Sequence, residues 1–295
     1  MTLVVDDPGM LSLLQDRGRP GLGHLGVSTS GAFDRSALRQ ANSLLGNEPG
    51  CAAIEVLAGG LVLRATAPHV LAVTGAAAAV TIDGTSAAYG RALRLQQGQR
   101  LQIGSPVVGL RTYVGVAGGI AIEKELGSAS TDTLSKLGPA RLAAADVLEV
   151  GPAPATPELE DVPPLATSGE VTLDVVVGPR DEWFTPRAVR NLLEAAWRVD
   201  HASDRVGVRL VGPSLQRAGH DELPSEPCLR GSIQVAANGQ PIAFGPDHPV
   251  TGGYPVIAVI IDAHTDLLAQ ARPGATVRFR SIPLRRDNQP SVERA

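Results

Sequence analysis

The sequence predicts a mainly β protein with a few helices, arranged as a sandwich or barrel and not as a doubly wound sheet. Three observations carry this. The chain holds 33 glycines and 23 prolines, which cut its apolar residues into short runs, the pattern of strands separated by turns. Sustained helical periodicity occurs in only two places. A turn followed by a short alternating run recurs at 98–103, 146–150 and 274–279, a weak internal echo that suggests two similar units.

Taken in order, residues 70–73, 79–82, 93–95 and 101–103 read as strands. Asp83-Gly84 falls between two of these runs, and Asp-Gly favours a hairpin turn with positive φ at both central residues. Asp34 is placed to cap a helix that runs to Leu45, with Ala37, Leu38, Ala41, Leu44 and Leu45 on one face and Gly46 as its stop. Thr185-Pro186 starts a second helix whose apolar face is Val189, Leu192, Leu193, Ala196 and Trp197. A short third helix is expected over 266–270, and 171–177 reads as a strand. Ser232 to Val235 and the run from Pro241 flank Asn238-Gly239, a strand–turn–strand pattern. Between 151 and 169 the chain has five prolines, acidic residues and no apolar period, the composition of a linker. The expected organisation is a first unit at 1–152, a linker at 153–169, a second unit at 170–284 and a tail at 285–295.

Bulk composition narrows the function classes. A formal charge of −4 argues against a nucleic-acid footprint, which needs a concentrated basic face. Of 26 basic residues only Lys124 and Lys136 are lysines. Arginine suits bidentate carboxylate or phosphate binding, but these arginines are scattered and read as the composition of a GC-rich genome. Cys51 and Cys228 are too far apart in sequence for a disulfide framework or a zinc motif, which fits a reducing compartment. Residues 1–10 carry Asp6 and Asp7 and no basic segment, unlike a signal peptide. The longest apolar stretch, 71–82, is too short to span a bilayer. A soluble, cytoplasmic protein is therefore expected, with no membrane or nucleic-acid partner. No P-loop, nucleophile elbow or His-Glu-x-x-His pattern occurs. The histidines at 24, 69, 201, 220, 248 and 264 are dispersed, so no metal is expected.

Four places carry candidate chemistry. The turn from Ser28 through Ser30, Gly31 and Asp34 to Arg35 lies directly before a helix, where backbone N–H groups and the helix dipole favour an anion. Equally, Asp34 could simply cap and Gly31 simply turn. Glu55 lies among apolar residues in a strand-like run; it either faces solvent or needs a partner. Asp247, His248, Thr251, Gly252, Gly253 and Tyr254 bring acid, base, hydroxyl and phenol groups to one glycine-bearing corner; Asp247, His248 and Tyr254 are the catalytic candidates, and a tight corner between strands is the alternative. Arg205 and Arg209 would share a strand face and, with Gln234, could bind an acidic substrate.

Several stretches together resemble one family. They are Asp7-Pro8-Gly9, Gln15 to Gly21, Gly31-Ala32-Phe33-Asp34-Arg35, Ala41-Asn42, Gly46-Asn47, Val116 to Ile120, Leu126-Gly127-Ser128 with Ser130-Thr131, Gly231 to Gln234, and Thr251-Gly252-Gly253-Tyr254-Pro255. In these the chain resembles the biotin-dependent carboxyltransferase family, also called allophanate hydrolase subunit 2, the KipA type or the 5-oxoprolinase C subunit. The resemblance implies two cyclophilin-like β-barrel domains, equivalent to carboxyltransferase subdomains A and B of urea carboxylase. It implies partners: a KipI-type B subunit and a lamB/YcsF-type A subunit, which together with this chain open the small amide 5-oxoproline to glutamate, with ATP hydrolysed by the complex. The alternatives it leaves are biotin-dependent carboxyl transfer to urea or a related amide, and a non-enzymatic binding partner of a kinase inhibitor. No biotin attachment motif occurs, so no biotin is expected on this chain. The pattern is broken at Ala129 and His248, where the family usually carries Arg, at Val250 in place of Thr, and at Ala145-Asp146 in place of Gly-Asp.

Overall fold

A computed structural model of the protein describes residues 1–154, 161–164, 169–219 and 223–283. His220, the tail at 285–295 and most of the expected linker lie outside the described residues. Among the described residues, eighteen strands and three α-helices make a mainly β molecule, as the turn-rich sequence predicts.

The first sheet contains β1 (Thr2–Pro8), β2 (Leu11–Gln15), β3 (Ala53–Leu57), β4 (Leu61–Ala65), β5 (His69–Ile82), β6 (Thr85–Ser86), β7 (Ala92–Leu95), β8 (Arg100–Val116) and β9 (Val147–Glu149). Its main path is β2-β3-β8-β4-β1-β9, and β5 pairs with β6, β7 and β8. The runs expected as separate strands at 70–73 and 79–82 belong to one strand. β5 follows β8 from Leu71↔Val116 to Ile82↔Leu101 through register shifts between Gly75 and Val80; such bulges bend a ladder without ending it. The first sheet curls, but among the described residues its ladder does not join into a ring. Isolated hydrogen bonds bridge the gap: Thr131 donates to the Leu14 carbonyl and Leu142 to that of Ser12, both at 2.9 Å, while Ala145 donates to Val5 at 2.7 Å. Leu3, Val5, Ile54, Leu63, Leu71 and Ile103 are among the residues of its core.

The second sheet is a closed barrel. Its strands are β10 (Glu170–Val177), β11 (Trp197–Val199), β12 (Gly207–Val211), β14 (Ser232–Val235), β15 (Pro241–Phe244), β17 (Val256–Ile260) and β18 (Thr276–Ser281). The ring runs β10-β17-β14-β15-β12-β11-β18 and closes through the parallel pairing of β10 with β18. A separate two-stranded ribbon joins β13 (Glu226–Pro227) to β16 (Thr251–Gly252).

The helices follow their sequence signals to different degrees. Helix α1 (Arg35–Leu45) starts at Asp34, whose side chain accepts from the Ala37 N–H, and stops at Gly46 with φ 67°, as expected. Helix α2 (Pro186–Glu194) is capped by Thr185 but ends before Trp197, which opens β11 and pairs with Val277. Barrel closure takes Trp197 out of the helix that its spacing suggests. Helix α3 (Asp262–Ala269) begins four residues ahead of the expected position, because Ile261 at its cap has no capping side chain to mark it.

Both hairpins form, by different turns. Asp83 and Gly84 have φ 49° and 79°, the type I′ signature. Asn238 has no positive φ; only Gly239 does, at 76°, and its N–H donates to the Ala236 carbonyl at 2.9 Å. This is a type I turn closed by a left-handed glycine, held by the Asn238 side chain accepting from the Gln240 N–H at 3.0 Å.

The two sheets meet along a seam. Phe33, from the segment leading into α1, belongs to the core of the second barrel. In the opposite direction Gln270, after α3, accepts from the Leu110 and Arg111 N–H groups of β8 at 2.9 and 3.0 Å.

Candidate functional site

The turn ahead of α1 is the natural place to begin, since the sequence marks it as an anion site. Ser30 and Gly31 both hold positive φ, 52° and 87°, and deliver the chain to Asp34. The donors at this helix start are already engaged. Phe33 N–H donates to Glu55 at 3.0 Å, and Asp34 N–H to the Tyr113 hydroxyl at 2.7 Å. The Arg35 and Ser36 N–H groups donate to the two carboxylate oxygens of Asp266 at 3.0 and 3.1 Å. Asp266 belongs to α3 of the other unit, so the anion at this helix end is one of the protein's own carboxylates. The expectation of a substrate anion on these N–H groups is corrected accordingly.

Beside the turn lies a buried ion network. Arg205, 3% exposed in its side chain, donates from Nη1 to Glu55 at 2.6 Å and from Nε to Asp247 at 2.9 Å, and from Nη2 to the Gly31 carbonyl at 2.6 Å. Asp247 also accepts from Ser30 Oγ at 2.7 Å and from Thr133 Oγ1 at 2.7 Å. Glu55 accepts the Tyr113 hydroxyl at 2.6 Å, and Arg111 stacks its guanidinium 4.5 Å above the Phe33 ring. Burial pushes the Glu55 and Asp247 carboxyls up, but the Arg205 charge outweighs it jointly with Arg111, the Phe33 N–H and the Tyr113 hydroxyl at Glu55, and with Ser30 and Thr133 at Asp247, leaving both below the usual range. Burial likewise opposes the Arg205 charge, and Asp247 and Glu55 more than restore it. Asp34 differs: burial and the nearby Asp266 charge raise it to about 6.

This arrangement redistributes the sequence candidates. Glu55 takes the buried, partnered alternative. Arg205 and Arg209 do not share a strand face. Arg205 precedes β12 in a turn held by the Asp204 side chain and is buried, whereas Arg209 is exposed on the strand. Gln234 spends its amide on the Tyr254 carbonyl at 2.9 Å. Thr251 and Gly252 pair with β13, Gly253 follows them, and Tyr254 is 45% exposed beneath the Arg217 guanidinium at 5.6 Å. Asp247, fully occupied by donors, holds the seam together.

The open space lies next to this network. A cavity of about 860 Å³ runs between the two units, and Ser28, Arg35, Arg230, His248, Val250 and Asp262 are among its lining residues. Both predicted corners therefore reach it, through Ser28 and Arg35 on one side and His248 on the other. Ser28 Oγ donates to Asp132 at 3.0 Å. His248 stacks on Phe244 with ring centroids 5.9 Å apart, and burial lowers its pKa. Its Nδ1 lies 2.9 Å from the Pro249 carbonyl. A carbonyl only accepts, so Nδ1 carries the proton and Nε2 of the neutral ring is left as an acceptor.

Arg230 is the lining residue that sequence reasoning missed. It donates to the Phe33 carbonyl at 2.7 Å and to Asp266 at 3.0 Å, and burial together with the neighbouring Arg35 charge lowers its pKa. Its one sequence signal is an arginine two residues ahead of the entirely buried strand β14. Arg111 and Gln270 were also missed, because each acts across the seam from a segment that reads as ordinary strand or helix end, and Tyr113 because nothing in its plain strand marks the hydroxyl that serves Glu55 and the Asp34 N–H. Among the described residues no group of His, Cys, Asp and Glu could hold a metal ion, and no helix is long and apolar enough to cross a membrane.

Comparison with known proteins fits this geometry. The chain is 35% identical over 275 residues to the 5-oxoprolinase C subunit of Escherichia coli K12, covering 92% of this chain and 88% of that one. It is 35% identical over 285 residues to the protein of the same name from Haemophilus influenzae, at the same coverage. Urea amidolyase of Saccharomyces cerevisiae is 29% identical across 97% of this chain, which spans 17% of that protein. Among solved structures, urea amidolyase of K. lactis superposes with a TM-score of 0.89 at 28% identity, over 96% of this chain and 19% of that one. The protein TTHA0988 superposes with a TM-score of 0.87 at 34% identity, over 95% of this chain and 55% of that one. The family model describing the carboxyltransferase domain, subdomain A and B, matches residues 25–281, and the chain belongs to that family.

Proposed function

We propose that this chain is the C subunit of an ATP-dependent 5-oxoprolinase, which opens 5-oxoproline to glutamate together with a KipI-type B subunit and a lamB/YcsF-type A subunit. The observation that carries the reading is the near full-length match to the 5-oxoprolinase C subunit, 88% of that protein. In urea amidolyase the matching region is only a sixth of a longer chain. A lactam resists hydrolysis because amide resonance protects its carbonyl. Phosphoryl transfer from ATP to the lactam oxygen removes that protection. Water then attacks the ring carbon, the C–N bond breaks and the nitrogen takes a proton, leaving an acyl phosphate that a second water hydrolyses to glutamate and phosphate. In this chain Ser28, Arg35 and His248 line the space where a small amide would sit. Neutral His248 offers Nε2 as a proton acceptor, and the buried network fixes the wall behind it.

The test is an assay of the assembled three-subunit complex with 5-oxoproline and ATP. Glutamate and ADP should appear in equal amounts, and this chain alone should produce neither. A second reading, carboxyl transfer to urea from carboxybiotin on a separate carrier, draws on the TM-score of 0.89 with urea amidolyase. If the complex carboxylates urea and leaves 5-oxoproline untouched, that second reading replaces the first.

A further inference from the structure

The cations of the seam differ in how fully their donors are committed. Arg205 directs all three of its nitrogens to Glu55, Asp247 and the Gly31 carbonyl. Arg230 is committed through Nη2 to Asp266 and the Phe33 carbonyl, while its Nε, sealed from solvent, has no partner among the described residues. Arg35 lines the cavity and is held by a single nitrogen: Nη1 reaches both carboxylate oxygens of Asp262, at 3.0 and 3.1 Å. Its Nε and Nη2, one edge of the planar fork, donate to no group among the described residues. That edge is the one that binds a carboxylate through two parallel bonds.

The surroundings favour such a ligand. Asp262 is the only carboxylate among the described lining residues, while Arg35 and Arg230 bring two positive charges. Asp262 is 73% exposed in its side chain, so its hold on Arg35 is weakened by solvent. Val176, Val177, Val259 and Ile260 give the same cavity an apolar wall, suited to ring methylenes.

We propose that Arg35 anchors the carboxylate of the ligand in this cavity, with Asp262 acting as a tether that keeps the guanidinium at the mouth until a carboxylate competes for it. The ligand class is a small cyclic amide bearing a carboxylate beside an apolar ring face. This deepens the 5-oxoprolinase reading and rests on it for the lactam part alone. It also moves carboxylate recognition from Arg205, Arg209 and Gln234 to a residue whose bonding is incomplete.

The test is calorimetric titration of the full chain, purified with the subunits that accompany it, using 5-oxoproline and its uncharged counterpart 2-pyrrolidinone. In the unaltered protein 5-oxoproline should bind about tenfold more tightly than 2-pyrrolidinone. Arg35→Ala should remove that advantage, and Arg35→Lys should keep part of it. Asp262→Asn should tighten 5-oxoproline binding several-fold, a gain that misfolding cannot imitate. None of the three should change the binding of 2-pyrrolidinone. Equal affinity for the two ligands, or an Arg35→Ala protein that binds 5-oxoproline normally, overturns the proposal. Arginine-dependent binding without turnover would keep the carboxylate site and remove the hydrolase reading. Turnover indifferent to Arg35→Ala would do the reverse.

Discussion

At Arg205 one guanidinium contacts two carboxylates and a backbone carbonyl, two of the three from the other unit. Removing it leaves Glu55 and Asp247 buried with their main counter-charge gone. Arg205→Ala should lower stability by about 3–5 kcal/mol, seen as a lower urea midpoint at unchanged slope. Asp34 makes a second prediction with a definite sign. Its pKa is raised in the folded state to about 6, above the unfolded value of about 4. Its contribution is therefore fully present below about pH 4 and is lost as pH rises through about 6, a change of about 3 kcal/mol. Glu55 and Asp247 are lowered instead, so their contributions are lost only in more acid solution. Asp34→Asn keeps the helix cap and should abolish the fall in stability between about pH 4 and 6. Denaturation curves at both ends of that window decide it.

Among the elements, the turn ahead of α1 depends on a backbone that side chains resist. A Cβ on Gly31, at φ 87°, would meet the backbone of Arg17 and Gly18 at 2.8 Å. Gly31→Ala should cost about 2–3 kcal/mol and shift the carbonyl that Arg205 uses, which a thermal melt would register. Elements with local punctuation were legible in advance: α1 between Asp34 and Gly46, and the Asp83-Gly84 hairpin. Elements whose limits depend on distant partners were not. Trp197 leaves α2 because the barrel needs it in β11, and β5 continues past its bulges because β8 is long enough to pair with all of it.

At the scale of the whole molecule, the mainly β architecture was readable from turn spacing, whereas the seam was not. Ser28, Arg35 and His248 stand out in the sequence as unusual residues near glycines, and they do reach the cavity. Asp247 and Arg205 stand out as reactive groups and turn out to satisfy each other. A sequence shows which charges exist, and only the fold shows which remain unspent; Arg230 and Gln270 draw no notice because their partners lie across the seam. Asp266 also limits how the molecule can move. It serves the first turn of α1 from the far side, and Arg230 steadies it there. Parting the two halves would strand those peptide donors and pull the Arg205 guanidinium off Glu55 and the Gly31 carbonyl, so the halves do not swing like the shells of a clam. A ligand therefore has to come in through the mouth of a cleft whose walls stay where they are.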